Sequence, residues 1–142
     1  MRPFSFLTLA ASSALAVTSV EAATIDGDWL TPNGVARVHI AHCASGLCGT
    51  IIALKEPNDA TAHPQVDGRN ADPSLRKRPV AGLEILRGFK PSGEGRWAQG
   101  TIYNPDDGRT YASKITLEPA GGLKVEGCVV FICVAQYWTW AD

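Results

Sequence analysis

Four cysteines, three histidines and a run of carboxylates carry the chemistry open to this chain of 142 residues. The cysteines form two pairs of equal spacing, Cys43 and Cys48 in HCASGLCGT and Cys128 and Cys133 in CVVFIC, with four residues inside each pair. Thiols so placed bind metal, cycle electrons or cross-link the chain. A zinc site needs four ligands, and His39, His42 and His63 are the other candidates. His39 and His42 stand three apart in VARVHIAH, whose alternation and β-branched residues read as a strand. An odd offset on a strand sends side chains to opposite faces, so the pair grips one ion poorly and no metal site is assigned. Redox centres favour two intervening residues rather than four. A structural staple fits best: Cys43 and Cys48 facing each other across Ala44-Ser45-Gly46-Leu47, in a non-hydrogen-bonded pair, would have the separation a disulfide needs. Two local bridges are favoured among the three possible pairings, each contributing about 2 kcal/mol because the closed loops are short.

The second concentration of chemistry is EPNDATAHPQVDGRNADPSLRKRP, residues 56–79, with four prolines and almost no apolar periodicity. Connections this long are uncommon within a domain and usually form a functional lid or an ordered Ω-like loop. Asp67, Asn70, Asp72 and Arg78 are its densest polar set. They could clasp a polar ligand or supply an acid or base, but such residues more often cap turns and hold a long loop to the barrel by hydrogen bonds. Asp67, Asn70 and Arg78, with Tyr103 and Tyr111 further along, are the candidate ligand-binding residues. The basic run Arg76-Lys77-Arg78 reads as a solvated face. Ser45 and Ser92 lack a nucleophile elbow, no glycine-rich loop opens a helix, and a calcium loop beginning at Asn104 would place Ile115 where a bidentate Glu is required. No catalytic residue and no cofactor is assigned.

Compartment and size follow from the ends and the balance of charge. The chain opens MRPFSFLTLAASSALAVTSVEA, a basic residue, an apolar run and small residues flanking Glu21, which reads as a signal peptide over residues 1–22. Residues 23–142 then form one domain, periplasmic or secreted, where four cysteines are expected to be oxidised. A net charge of −1 gives no footprint for nucleic acid. No later apolar run reaches the roughly 20 residues of a transmembrane helix.

The elements that must position these residues are short strands. GDWL, VARVHIAH, CGTIIALK, VAGLEILRGF, RWAQGTIY, TYASKITLE, LKVEGC and QYWTW alternate with turn sequences such as TPNG, KPSGEG, NPDDGR and PAGG. If NPDDGR closes a four-residue loop with Asn104 opposite Arg109, Ala98, Gly100 and Ile102 share an inner face with Tyr111, Ser113, Ile115 and Leu117. Gln99, Thr101, Lys114 and Thr116 then face out. About eight strands in succession, with no helix beyond a turn at DPSLRKR, predict an all-β antiparallel meander closed into a small barrel. The VVFI segment between Cys128 and Cys133 is expected to pack over the end of that barrel, with contact to a partner as the alternative.

Gly27-Asp28-Trp29 resembles the Gly-x-Trp start of lipocalin-like (calycin) barrels, in which the Trp plugs one end. Trp140 stands near the C-terminus where that superfamily often has an Arg, so the plug here would be aromatic on aromatic. GDWLTPNGVARVHI, CASGLCGTII, DGRNADPSLRKRPVAGLEIL, GRWAQGTIYNPDDGRTYASKITL and GCVVFICVAQYWTW together resemble the exported bacterial family known as domain of unknown function 2147 (DUF2147). The resemblance implies an envelope-located, lipocalin-like barrel with no established reaction, and matches include Trp29, Asp67, Asn70, Arg78, Trp97, Tyr103, Tyr111 and Trp138. Trp29, Trp97 and Trp138 are taken as structural. The leading expectation is a barrel that binds a small, partly apolar or amphipathic molecule at its open end under the long loop. A filled barrel acting as an interaction module, or a hydrolase in which Asp67 or Asp72 converges with a second acid, are the alternatives.

Overall fold

The computed structural model describes residues 3, 10–17 and 24–142. The expected cleavage sequence Val20-Glu21-Ala22 lies outside them, as does most of the leader. Eight strands follow in order: β1 Gly27–Leu30, β2 Ala36–Cys43, β3 Gly46–Leu54, β4 Glu84–Gly93, β5 Arg96–Asn104, β6 Arg109–Leu117, β7 Leu123–Val129 and β8 Ile132–Trp140. Single 3-10 turns occur at Pro32–Gly34 and Pro73–Leu75, the second within DPSLRKR. Each strand pairs antiparallel with its chain neighbours, and β1 closes the barrel on β8 through Trp29 opposite Trp140 and Leu30 opposite Thr139.

Alternation decides which side chains enter. Along β2, Ala36, Val38 and Ile40 are buried while His39 is exposed. A sequential meander puts the β2–β3, β4–β5 and β6–β7 turns at one end and the β3–β4, β5–β6 and β7–β8 connections at the other. The first end is filled: Trp29, Phe89, Trp97 and Trp138 pack with Val38, Ile40, Ile115, Leu123 and Val125. Gly100 faces this cluster, since a Cβ there would collide with the Phe89 ring. The Trp29 indole donates to the Ile25 carbonyl at 2.9 Å and meets the Trp140 ring edge-on, centroids 4.9 Å apart, the aromatic plug expected from Trp140.

Asn104 lies opposite Arg109, so NPDDGR closes as a four-residue loop. One slip occurs upstream. A register shift between Trp97 and Gly100, with Gln99 at φ +60°, forms a bulge that turns Trp97 inward opposite Ile115 and displaces Ala98 from the inner face.

Both local disulfides are present, Cys43–Cys48 and Cys128–Cys133. The first hairpin is tighter than a four-residue loop. Cys43 is opposite Gly46 and Cys48 opposite Ala41, so the bridge runs diagonally across an Ala44-Ser45 turn, with Cα atoms 6.0 Å apart. Cys128 and Cys133 are directly opposite at 4.0 Å, and Val129 opposite Ile132 closes a two-residue turn of Val130 and Phe131. This tip covers nothing: Val130 is 82% and Phe131 96% exposed. The expected packing over the barrel end fails because the turn is too short to fold back.

Trp29 bridges β1 to the packed end, so Trp29→Ala is expected to lower stability by about 3–5 kcal/mol in urea unfolding. A loss below about 1 kcal/mol would show that the ring does not anchor the strand.

Candidate functional site

The long connection is ordered by its own backbone. Val66 bridges Pro79, the Asp67 amide donates to the Arg78 carbonyl at 2.9 Å, and the Val80 amide to the Gln65 carbonyl at 3.0 Å. Gln65 and Gly82 tie its two ends, donating to the carbonyls of Pro57 and Ile51. It is an Ω-like loop held shut at its neck.

Asp67 sits at its centre with 0% exposure. Its carboxylate accepts from the Tyr103 hydroxyl at 2.5 Å, from Asn70 Nδ2 at 2.9 Å and from Arg78 Nε at 2.9 Å. The Arg78 guanidinium lies 5.7 Å from the Tyr103 ring centroid. Asn70 reaches back with Oδ1 to the Asp72 amide at 2.8 Å, and Asp72 accepts from the Ser74 amide at 2.9 Å as the cap of the 3-10 turn. Burial pushes the Asp67 carboxyl up, yet the donors Tyr103, Asn70 and Arg78, with the Arg78 charge, outweigh it and hold the group below the ordinary aspartate value. Burial, and then the Asp67 acceptor, hold the Tyr103 hydroxyl above its own.

Register shows which side of the wall this network occupies. Gly100, Ile102, Tyr111 and Ser113 are paired positions on the inner face, and a Cβ on Gly127 would lie 3.5 Å from Ile102 and 3.6 Å from Tyr111. Thr101 and Tyr103 therefore point outward. Asp67, Asn70 and Arg78 thus gather on the outward-facing Tyr103, which fastens this part of the loop to the outer wall beside the β5–β6 rim. Gly108 completes the contact. It holds φ +71° in the β5–β6 turn, and any Cβ there would collide with the Arg69 carbonyl.

Tyr111 does not join the other four predicted residues. It faces inward, and its hydroxyl donates to Asp107. That bond is the main reason the Asp107 carboxyl lies low and the Tyr111 hydroxyl high. An open groove of about 1170 Å³ runs between the loop and the wall, lined by Arg78, Arg87, Thr101 and Tyr103, and reaches the rim at Arg109 and Tyr111.

Inside the rim lies an apolar surface that the sequence reading met only in part, as the VVFI segment expected to cover the barrel end or contact a partner. Val129 and Ile132 share the inner face with Val134, which is paired with Gly127, yet they are 59%, 75% and 71% exposed. Gln136, also inward, accepts from the Trp138 indole at 3.0 Å and floors the space. Alternation across ICVAQYWTW was the available signal, but only its last five residues read as strand.

Acid–base chemistry has little to work with. Asp67 is enclosed by three donors, Asp72 is engaged as a cap, and Glu84 is bound to Arg87 at 2.6 Å. His39 and His42 turn to different carboxylates, Asp28 at 2.7 Å and Asp26 at 3.2 Å. Among the described residues no three His, Cys, Asp or Glu gather as a metal site, and no helix is long and apolar enough to cross a membrane.

Taken together, barrel topology and Trp plug define a lipocalin-like fold. A solved structure, protein HP1028 from Helicobacter pylori, described as belonging to the lipocalin family, is similar over 84% of each chain at 19% identity, with a TM-score of 0.72. The chain belongs to the family of uncharacterized proteins conserved in bacteria, DUF2147, which matches residues 27–140. No curated protein matches it in sequence.

Removing the Tyr103 hydroxyl leaves a buried carboxylate one donor short. Tyr103→Phe is expected to lower stability by about 1–3 kcal/mol. Because the native Asp67 value lies below the ordinary 3.8, its contribution is fully present above that pH and is lost as pH falls through the lowered native value. Asp67→Asn should flatten this acid limb in unfolding measured against pH; an unaltered limb would mean that other carboxylates produce it.

Proposed function

We propose that the protein binds a small, partly apolar molecule in the mouth of its barrel, and that it does so in the cell envelope after loss of residues 1–22. One observation carries the reading: the inward side chains Val129, Ile132 and Val134 stay largely exposed while the opposite end of the same barrel is packed with tryptophan. Apolar surface on a concave wall, with a few polar groups beside it, is the usual character of a small-molecule site. Tyr111 and Gln136 supply those groups within the mouth, and Arg78, Asn70 and Tyr103 form the polar wall of the adjoining groove, held in place by the buried Asp67. Two disulfides support an oxidising compartment. Membership of DUF2147 and the lipocalin-family neighbour agree with the architecture, and the ligand itself rests on the mouth alone.

The test uses the fluorescent apolar anion anilinonaphthalene sulfonate, with native mass spectrometry of protein from its own cells to detect a retained molecule. Gly127→Leu places a side chain into the mouth from a position where the added Cβ meets only ordinary contacts at 3.5 Å and beyond. It is expected to weaken probe binding at least about tenfold with the fold retained, equivalent to about 1.4 kcal/mol. Unchanged probe affinity in a folded Gly127→Leu protein would place binding elsewhere.

A further inference from the structure

Closure of the barrel is incomplete along one strand. β8 spans nine residues, but β1 pairs only with Thr139 and Trp140, and the 3-10 turn at Pro32–Gly34 that follows stays beside β8 without pairing to it. The two-residue turn at Val130 and Phe131 makes Val129 and Ile132 the hydrogen-bonded closing pair of the β7–β8 hairpin. Alternate residues from Ile132 onward then bond to β7, and the backbone N–H and C=O groups of Cys133, Ala135 and Tyr137 point the other way. The far end agrees in phase, since the Ala141 amide donates to the Asp28 carbonyl across the β1 seam. Among the described residues no strand pairs with that edge of Cys133, Ala135 or Tyr137.

Exposed edges normally carry a charge, a proline or a bulge that discourages pairing. This one carries none. No Asp, Glu, Lys or Arg occurs between Gly127 and Ala141, and the β7–β8 register is unbroken. We propose that this edge pairs with β8 of a second copy of the chain, antiparallel across a two-fold axis at Val134.

The charge pattern favours a copy over a foreign strand. In a two-fold pairing only the residue on the axis faces its own equivalent, but the residues beside it lie diagonal to theirs, so a charge there would sit near the same charge, whereas a foreign strand is recognised by opposite charge. The register about Val134 joins Cys133 to Ala135 and Phe131 to Tyr137. It sets Phe131, 96% exposed, beside Tyr137, 60% exposed, so each copy covers the other's bare apolar surface. The paired stretch ends before Thr139, where the Pro32–Gly34 turn and β1 take over the edge. This assembly does not depend on a ligand in the mouth.

The test is sedimentation equilibrium of the purified protein with hydrogen exchange on the same sample. A dimer is expected, with slow exchange at Cys133, Ala135 and Tyr137. Ala135→Pro removes an edge donor without removing a β7 bond, and Ala135→Lys sets like charges beside the axis while facing Glu126 on β7. Each is expected to weaken the dimer at least about tenfold. The Lys variant keeps the test sharp if the Pro variant does not fold. A monomer at every concentration, a dimer that folded Ala135→Lys leaves intact, or fast exchange at the three edge amides within a dimer would each overturn the proposal.

Discussion

A carboxylate removed from water must find compensating donors, and Asp67 finds three of them in Tyr103, Asn70 and Arg78. Two come from the long loop itself and one from the outer wall of β5. The constraint works in both directions. It gives a proline-rich loop one place to rest, and it commits Tyr103 to face away from the barrel interior. Gly108 lets the loop backbone approach closely enough for the bonds to form, by leaving space for the Arg69 carbonyl.

With the loop fastened outside, the two ends of the barrel differ in kind. One end is closed by Trp29, Trp97, Trp138 and Phe89, large rings accommodated by small residues such as Gly100. The other presents apolar side chains on its inner face with water against them, beside a groove edged by arginine and threonine. Rigidity and access are thereby separated along the axis. The short β1 has a related effect, closing the sheet only beside Trp140 and leaving the upper part of β8, among the described residues, paired on its β7 side alone.

Much of this was written locally in the sequence. The cysteine pairs were legible because each spans a hairpin turn, so the bond needs no knowledge of distant contacts. NPDDGR fixed the β5–β6 register through turn chemistry alone. The bulge at Gln99 was hidden, because the choice between burying Ala98 and burying Trp97 is made by the rings packed across the barrel. The site was half legible. Asp67, Asn70 and Arg78 stood out as a polar group, and the structure brings them together with Tyr103. Tyr111 belongs to the other face, and nothing local separates two tyrosines on adjacent strands until the register across the turn is known. Val134 escaped notice since an apolar residue on a strand is ordinarily buried, and Ile132 was read only as part of a tip that covers the barrel end; their exposure follows from how little of β8 is covered by β1.

In the proposed function the fastened loop leaves the barrel mouth free to receive a ligand. Backbone NMR spectra recorded during titration with anilinonaphthalene sulfonate test it directly. Shifts are expected to concentrate at Ile102, Tyr111, Gly127 and Val134, with Asp67, Asn70 and Arg78 nearly still. Shifts concentrated in residues 65–80, with the inner face of β5–β8 unmoved, would contradict it.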